Sequence, residues 1–467
     1  MSQRISVGAT VAILALSGAF SGVARADDLQ IPFTKTQLPN GLTVILHEDH
    51  TIPTVVVNVS YGTGSRMEQP KRTGFAHLFE HLMFMGTQRV PTKAFDAWME
   101  AAGGWNNAWT SEDRTDYYDV GPPTALDLLV WLEADRLRDL GPLMTLEKLN
   151  AQRDVVRNER RQTTENTPYG KVELRLPELL YPEGHPYHHP VIGSHEDLEA
   201  ATVDDVKLFF ATWYDPANAS IVVAGDFDPK IALEKVQKAF GSIPSRGKPK
   251  DPGAPGFDSN VSTLSAVVRE TLRDDVELPK VIMAWQSPKH FAPGDAELDL
   301  LSSVLANGKA SRLYQSLVYD QKLAQNVETF QSSGVLGSRF MVGVLARPGV
   351  SLDKIETAVD KELAKVRAER ITDEELARAK NGYEAQFVHG LEGVRQRASL
   401  LNLYQAEQGD PGFVQKDLDR YRKATTDGIK EIAARTLDPS KRVVLRVLPR
   451  EKTGKDGGSQ DTKAVKK

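Results

Sequence analysis

Residues Thr202–Asp226, TVDDVKLFFATWYDPANASIVVAGD, carry a pattern that recurs at Thr425–Pro449 as TTDGIKEIAARTLDPSKRVVLRVLP. Each copy begins as an amphipathic helix, turns at an Asp-Pro pair and ends in a run of β-branched residues. The two Asp-Pro pairs begin at Asp215 and Asp438. One such match can also arise by chance, because helix caps and turns recur for local reasons.

A second match at the same spacing favours duplication. The offset between Asp215 and Asp438 also aligns Phe75–Gly86 (FAHLFEHLMFMG) with Leu298–Gly308 (LDLLSSVLANG). Both segments are predicted apolar helices that end in Gly. Several predicted strands follow one another without a helix between them, which favours an antiparallel sheet. The sequence therefore predicts an α+β fold of two homologous domains, each a largely antiparallel sheet with helices packed on one face.

Hydrophobic periodicity gives the elements of the first half. The predicted strands are Thr43–His47, Val55–Tyr61, Asn106–Thr110, Thr115–Val120 and Ser220–Ala224, and the predicted helices are Gly74–Met85, Lys93–Ala102, Thr124–Leu140, Leu146–Arg161 and Val203–Tyr214.

The first 26 residues resemble a secretory signal peptide. Arg4 precedes an apolar run from Val11 to Phe20, and Ala24-Arg25-Ala26 offers small residues at a cleavage point. An uncleaved membrane anchor would need about 20 apolar residues, which this run does not supply. We therefore expect a bacterial periplasmic protein, cleaved after Ala26, with no membrane segment afterwards.

Composition sets the remaining domain bounds. Pro, Gly and Lys crowd residues 244–258 and predict a linker. Residues 451–467 contain one Val and no aromatic residue, which predicts a disordered tail. The predicted domains are 27–243 and 259–450.

The overall composition excludes several kinds of chemistry. The 467 residues include 58 Lys and Arg against 63 Asp and Glu, a net charge of −5, and no basic run argues for nucleic acid as a partner. There is no Cys, which removes disulfides, cysteine nucleophiles and thiolate metal sites. Any metal site must therefore use His, Asp and Glu.

The sharpest chemical signal is His77-Leu78-Phe79-Glu80-His81. Two His four residues apart on a helix project from one face and can bind one Zn²⁺ together. Glu80 lies on the same face, where a carboxylate can take a proton from the attacking water. The order His-x-x-Glu-His is that of inverted zinc peptidases. The alternative is a helix with two hydrogen-bonded core histidines and a surface Glu.

A third ligand is suggested by the helix Leu146–Arg161. Leu149, Gln152 and Val156 form a buried stripe that Glu159 continues, and a carboxylate buried there needs a partner. Periodicity alone supports two interpretations of Glu159 equally. It is either a zinc ligand or an exposed residue that pairs with Arg157, Arg160 or Arg161.

The whole chain resembles the pitrilysin and mitochondrial-processing-peptidase family of inverted-motif zinc metallopeptidases, in its bacterial type with subunits of roughly this length. The matching stretches are Pro39–Val44, Tyr61–Ser65, Gly74–Gly86, Gly103–Tyr118, Leu132–Arg136, Arg153–Arg161 and Asp215–Asp226. The resemblance implies that Glu159, far downstream of His81 in the chain, is the third zinc ligand. The family often carries a Glu where this chain has Gln152, which can act only as a hydrogen-bond partner behind the ligands.

The resemblance also implies a substrate-binding strand. Asn107-Ala108-Trp109-Thr110 resembles the edge strand against which the family lays its substrate as an additional strand. Strand addition needs free backbone groups at a sheet edge and tolerates varied side chains. The alternative is an ordinary core strand in which Trp109 only packs.

The second half departs from a competent metal site. At the repeat spacing His77 and His81 fall on Leu300 and Val304, which cannot bind zinc, and Glu80 falls on Ser303, which cannot act as the base. The second half is therefore expected to be structural or to hold substrate.

The family's substrate-holding Arg and Tyr are also missing here. Their places fall on Val318 and Gln325, while Arg312 and Tyr319 have the same spacing but match a separate element of the family upstream. We therefore expect a heterodimer in which this chain supplies the metal site and a related zinc-less subunit supplies the Arg and Tyr.

The predicted function is a zinc metalloendopeptidase that binds one Zn²⁺ per chain and cuts peptides or unfolded segments. One alternative is a non-catalytic assembly or scaffold subunit of the same family, and another is a zinc-binding module without hydrolysis. The complete set of ligands argues against the scaffold, and Glu80 argues against a module that only binds zinc.

Overall fold

The computed structural model describes residues 29–258 and 262–450. The predicted signal peptide and its cleavage point, as well as the predicted tail at 451–467, lie outside the described residues, and the domain bounds stay predictions. Within the described ranges, none of the helices combines the length and the apolar character needed to cross a membrane.

The first half forms a six-stranded sheet with its helices. Its strands are β1 (Thr34–Gln37), β2 (Thr43–Glu48), β3 (Val55–Tyr61), β4 (Trp105–Thr110), β5 (Thr115–Gly121) and β6 (Ala219–Gly225), and its helices are α1 (Phe75–Leu82), α2 (Ala94–Ala101), α3 (Leu126–Asp139), α4 (Leu146–Glu159), α5 (Lys171–Leu180), α6 (His195–Ala200), α7 (Val203–Trp213) and α8 (Pro229–Phe240). The strand order is β1-β2-β6-β3-β5-β4.

The second half forms a five-stranded sheet. Its strands are β7 (Val268–Asp274), β8 (Lys280–Ser287), β9 (Ala324–Ser332), β10 (Ser338–Ala346) and β11 (Val443–Pro449), and its helices are α9 (Asp295–Ala306), α10 (Leu352–Ala368), α11 (Asp373–Gly390), α12 (Val394–Gln408), α13 (Val414–Lys423) and α14 (Thr426–Thr436). The strand order is β7-β11-β8-β10-β9.

The two sheets share one topology over five strands, and the first sheet has the additional edge strand β1. In the first, β6 pairs in parallel with β2 and antiparallel with β3. In the second, β11 pairs in parallel with β7 and antiparallel with β8. Each sheet then ends in two further antiparallel strands, β5 and β4 or β10 and β9. The predicted α+β fold of two homologous, largely antiparallel halves is confirmed.

The side chains of β3 show how each sheet is buried on two faces. Val55, Val57 and Val59 point into the core that contains the first half's own helices. Val56 points to the opposite face and packs in a separate cluster with residues of α12. Strand side chains alternate between the two faces, so a strand buried on both sides carries a continuous apolar run.

The second face of each sheet is covered by a helix from the other half. Ala398 and Leu401 of α12 pack on the first sheet. Val172 and Leu176 of α5 pack on the second sheet beside Leu445. Each sheet thus has the expected helix layer on one face and, on the other face, a helix exchanged from the opposite half. The exchanged helix α5 is not among the helices predicted from sequence.

The predicted linker at 244–258 is held against the first half. Ser245 Oγ donates to Asp215 Oδ1 at 2.5 Å, and the main-chain N of Arg246 donates to Asp215 Oδ2 at 2.6 Å. Arg66 binds Asp251 through two hydrogen bonds of 2.6 and 2.8 Å. These contacts make the segment an ordered strap.

Candidate metal centre

The metal-site helix α1 begins at a backbone conformation that only glycine adopts easily. Gly74 has φ +87°, and a Cβ at this position would lie 2.8 Å from the main-chain oxygen of Ile192. The carboxylate of Glu68 accepts hydrogen bonds from the main-chain N of Gly74 at 2.8 Å and of Ala76 at 2.7 Å. A carboxylate at a helix N-terminus satisfies its free N–H groups and complements its dipole.

The two faces of α1 differ as the sequence predicts. Its apolar face is buried in the core of the first half through Phe75, Leu78, Phe79 and Leu82. On the other face His77 Nε2 and His81 Nε2 lie 3.3 Å apart, with their rings nearly perpendicular at 86°. Packing of the apolar face thus fixes the direction in which both imidazoles point.

Helix α4 brings the predicted third ligand to these imidazoles. Glu159 is its last residue, and its carboxylate oxygens lie 3.1 Å from His81 Nε2 and 3.6 Å from His77 Nε2. Immediately after Glu159 the chain continues as a π-helical turn, Arg160–Glu165. Such turns are frequent at functional sites.

The neighbouring arginines have other partners. Arg157 contacts Glu199 at 3.6 Å, and Arg160 contacts Glu165 at 2.8 Å. Arg161 donates to Asn158 Oδ1 at 2.8 Å. Of the two interpretations that periodicity leaves open, the geometry therefore favours the one in which Glu159 faces the histidines.

The three side chains lie close enough together to share one metal ion. Ligand bonds of about 2.1 Å place the ligand atoms of a tetrahedral site roughly 3.4 Å apart. The two Nε2 atoms lie 3.3 Å apart, and each carboxylate oxygen of Glu159 approaches a different imidazole, Oε2 at 3.1 Å from His81 and Oε1 at 3.6 Å from His77. Among the described residues, His77, His81 and Glu159 are the one group of three or more potential ligands whose donor atoms all lie within 4.8 Å of one another.

The protonation states also suit a metal ion. Burial lowers the pKa of His77 to about 4, His81 acts in the same direction, and Glu159 opposes it. The hydrogen bond with His81 lowers the pKa of Glu159. Near neutral pH His77 is therefore a neutral imidazole and Glu159 a carboxylate, which are the forms that bind metals.

Glu80 lies beside the ligands in a mostly buried position. Burial raises the pKa of its carboxyl group, against the hydrogen bond from Thr110 and the charge of His81. Thr110 Oγ1 donates to Glu80 Oε2 at 2.6 Å. A carboxylate with a raised pKa accepts a proton more readily, as a general base must.

The predicted substrate strand lies at an edge of the first sheet. β4 pairs with β5 on one side and ends the strand order on the other. The main-chain N of Ala108 donates to the Asn107 side chain at 2.8 Å, so this N–H lies outside the pairing with β5. The indole of Trp109 stacks on Arg114, whose guanidinium carbon lies 4.8 Å from the ring centroid.

Gln152 is placed near the site but points elsewhere. Its Nε2 donates to Met85 Sδ at 2.7 Å. His77 Nδ1 is buried and has no hydrogen-bond partner among the described residues. The structure therefore does not join the Gln152 amide to this imidazole, and its predicted role behind the ligands stays a prediction.

The corresponding part of the second half lacks the candidate ligands. Leu300 and Val304 are buried, and Ser303 lines a cleft of about 320 Å³ between α9, β9 and α11. Val318 is buried, and Gln325 is exposed on β9. These side chains can contribute packing or surface, but they are not metal ligands.

Arg312 and Tyr319 lie in different environments, one in an ion pair and the other exposed. Arg312 forms two hydrogen bonds of 2.7 Å with the carboxylate of Glu375. Tyr319 is 69% exposed. Because a bidentate Arg–carboxylate pair fixes the guanidinium, this arrangement disfavours the pair as a substitute for the missing substrate-holding residues.

Two contacts of the site could not be predicted from the sequence. Glu68 caps α1 from six residues before its N-terminus, and Thr110 donates to Glu80 from a strand 30 residues away. The spacing of Glu68 is not that of a capping box, so no local pattern marks it. The alternation of β4 does place Ala108 and Thr110 on one face, but it does not say which helix that face meets.

Comparison with known families agrees with this asymmetry between the halves. Residues 43–186, which include all four predicted metal-site residues, match the family model described as Insulinase (Peptidase family M16). Residues 200–383 match the one described as Peptidase M16 inactive domain.

Individual relatives cover most of the chain. The zinc protease PqqE of Helicobacter pylori is 30% identical over 387 residues, which cover 80% of this chain and 84% of that protein. The probable mitochondrial-processing peptidase subunit beta of Arabidopsis thaliana is 26% identical and covers 78% of this chain and 69% of its own length. The crystal structure of a protease from Helicobacter pylori matches with a TM-score of 0.83 at 26% identity and covers 90% of this chain and 100% of its own. This chain therefore belongs to peptidase family M16, the pitrilysin family.

Proposed function

We propose that this chain is a zinc-dependent metalloendopeptidase subunit that hydrolyses peptides or unfolded segments. The observation that carries the proposal is the convergence of one ligand atom each from His77, His81 and Glu159 within 4.8 Å of one another, with Glu80 on the same helix face as the two imidazoles. His77, His81 and Glu159 would hold one Zn²⁺ per chain. When bound, zinc supplies a Lewis acid that polarises the scissile carbonyl and makes water more acidic.

Glu80 would move the protons of the reaction. Its carboxylate accepts a proton from the attacking water and returns it to the leaving amine. Helix α1 keeps this carboxylate on the same side as the two imidazoles, since residues three and four apart share a helix face.

The proposed substrate site is the free edge of β4. Asn107, Ala108, Trp109 and Thr110 would pair with an extended peptide through their backbone groups. Two observations support this: β4 is an edge strand, and its Thr110 contacts Glu80. A peptide that pairs there lies next to the proposed base.

The experiment that tests the catalytic proposal is Glu80→Gln in the mature chain. We expect one zinc per chain in both proteins and a loss of peptide cleavage of about 100-fold to 10,000-fold, because only the proton acceptor is removed. Glu100→Gln, an exposed substitution at the end of α2, is the matched control. Full activity of Glu80→Gln after removal of trace contaminating protease would rule out the assigned base.

A second candidate is a zinc-binding scaffold or assembly subunit. It is favoured by the second half, in which Leu300, Ser303 and Val304 replace the ligands and base. If the native chain binds zinc and cleaves no unstructured peptide, alone or with a related subunit, the scaffold is correct.

We further propose that the active species is a heterodimer. Val318 and Gln325 stand where the family's substrate-holding Arg and Tyr are expected, so a related zinc-less subunit would supply that pair. Cleavage rates should be compared for the purified chain alone and with such a subunit. Equal rates would show that the partner is unnecessary.

Export to the periplasm is part of the same proposal. The charged start and apolar run of residues 1–26 support cleavage after Ala26. The mature N-terminus should then be Asp27 in a periplasmic fraction. A full-length chain confined to the cytoplasm would contradict this.

A further inference from the structure

Thr110 joins the metal-site helix to the edge strand. Its Oγ1 lies 2.6 Å from Glu80 Oε2, and it is the last residue of β4. Ala108, two residues earlier on the same face, packs against the core of the first half, whereas Trp109 lies on the other face with Arg114. The hydroxyl of Thr110 is thus directed towards α1 by the alternation of the strand.

Neighbouring groups determine which way the hydrogen bond runs. The hydroxyl of Thr115, on the paired strand β5, donates to the main-chain oxygen of Thr63 at 2.9 Å. Thr115 Oγ1 also lies 3.4 Å from Thr110 Oγ1. A hydroxyl has only one hydrogen to donate, so Thr115 can only accept from Thr110. The single hydrogen of Thr110 thus has two possible acceptors, and it binds the Glu80 carboxylate at 2.6 Å because Thr115 lies farther away, at 3.4 Å.

The support behind Thr110 is rigid. Thr115 is fully buried, and its backbone lies between β3 and β4 in the sheet. A Glu side chain has three rotatable bonds, so the position of its carboxylate is fixed only by the contacts that the carboxylate makes. The bond from Thr110 restricts one carboxylate oxygen of Glu80 to a fixed point of the sheet.

We propose that Thr110 is a positioning residue for Glu80, and that its hydroxyl holds the carboxylate in its working orientation beside the metal ligands. This inference rests on the proposed peptidase function. Because Thr110 also ends the strand on which peptide is proposed to dock, the orientation of the base and the docking of substrate depend on one element. Displacing a reacting group by about 1 Å can cost on the order of 100-fold in rate.

The experiment uses Thr110→Val, which keeps the shape of the side chain and removes the hydroxyl, and Thr110→Ser, which keeps the hydroxyl. Thr212→Val, an exposed threonine on α7, is the matched control. We expect kcat of Thr110→Val for an unstructured peptide to fall about 10-fold to 100-fold, with zinc content unchanged and KM within about threefold. Thr110→Ser should recover most of kcat.

An unchanged kcat in Thr110→Val would overturn the proposal. If KM alone rises while kcat stays unchanged, Thr110 acts only through peptide docking and not through Glu80. Crystal structures of the zinc-loaded native, Thr110→Val and Thr110→Ser proteins give a readout that needs no activity. If the native protein cleaves no peptide, the proposed peptidase function fails. The position of the Glu80 carboxylate in these crystal structures still tests whether Thr110 orients it. A carboxylate displaced in Thr110→Val and restored in Thr110→Ser supports the proposal, and one that stays in place refutes it.

Discussion

His81 Nε2 lies 3.1 Å from Glu159 Oε2, although the two residues are far apart in the sequence. The contact depends on the packing of α1 against α4, since each side chain is on a different helix. It joins two candidate ligands, an imidazole nitrogen that local spacing places and a carboxylate oxygen that only packing brings near.

The first prediction concerns this contact. Glu159→Gln removes the negative charge of the proposed ligand. Mutating a residue that only hydrogen-bonds to a ligand typically costs about 10–100-fold in metal affinity, and we expect a larger loss of zinc affinity here. Affinity is measured by competition with a metal-sensitive dye. Glu147→Gln, on the exposed side of the same helix, should bind zinc like the native chain. Equal affinity in Glu159→Gln would exclude Glu159 as a ligand.

The second prediction concerns the edge strand. Ala108→Pro should fold, because the N–H it removes is bound to the Asn107 side chain and not to β5. We expect KM to rise about 10-fold, since an added peptide strand loses one main-chain donor. KM is measured with a peptide substrate.

Asn107→Pro is the contrasting control on the same strand. Backbone groups of neighbouring residues point to opposite sides of a strand, so the N–H of Asn107 points towards β5. This variant should therefore lose thermal stability, whereas Ala108→Pro should not. An unchanged KM in a folded Ala108→Pro protein would argue against peptide docking at this edge.

The third prediction concerns the exchanged helix α12. Asn402 is fully buried and donates from Nδ2 to the Asn58 main-chain oxygen at 2.9 Å and to Asn58 Oδ1 at 2.7 Å, while Ser220 Oγ donates to Asn402 Oδ1 at 2.7 Å. Asn402→Ala removes the partner that Asn58 Oδ1 and the buried Ser220 hydroxyl have in Asn402. We expect the free energy of unfolding to fall by about 2–3 kcal/mol.

Urea denaturation measures this loss. Asn307→Ala, at the exposed end of α9, should leave the free energy of unfolding within about 0.5 kcal/mol of the native value. If Asn402→Ala were equally harmless, the helix would not depend on these hydrogen bonds for its attachment to the first sheet.

The fourth prediction concerns pH. His290 Nδ1 lies 2.8 Å from Glu407 Oε2. Burial lowers the pKa of His290, but the hydrogen bond and charge of Glu407, helped by Asp295 and opposed by Arg420, raise it above its ordinary value of 6.5. A raised pKa in the folded state gives a stabilisation that is complete below the unfolded pKa and is lost as pH rises through the folded pKa.

Thermal unfolding of the native chain and Glu407→Gln checks this. The native chain should be the more stable by about 1–2 kcal/mol near pH 6, and the difference should shrink as pH rises through the raised pKa that His290 has in the folded chain. The exposed pair His389–Glu392 provides the control, because Glu392→Gln should have little effect at any pH. A difference that grows with pH would contradict the assigned ion pair.

The candidate site could be predicted from sequence where local spacing determines geometry. His77, Glu80 and His81 share a face because they are three and four residues apart on one helix. Glu159 could be placed on a buried stripe, but periodicity left its partner undecided. Only the packing of α4 on α1 places the Glu159 carboxylate beside the two imidazoles.

From the sequence alone one could predict the repeated architecture, the helix that carries His77, Glu80 and His81, and the chemical type of the candidate ligands, since periodicity and residue type are local properties of the chain. The tertiary structure decided that α12 covers the first sheet and α5 the second, and that Thr110 binds Glu80. The physical reason is that an apolar stripe shows that a face must be buried, but does not specify against which surface. That choice depends on the fit between elements far apart in the chain.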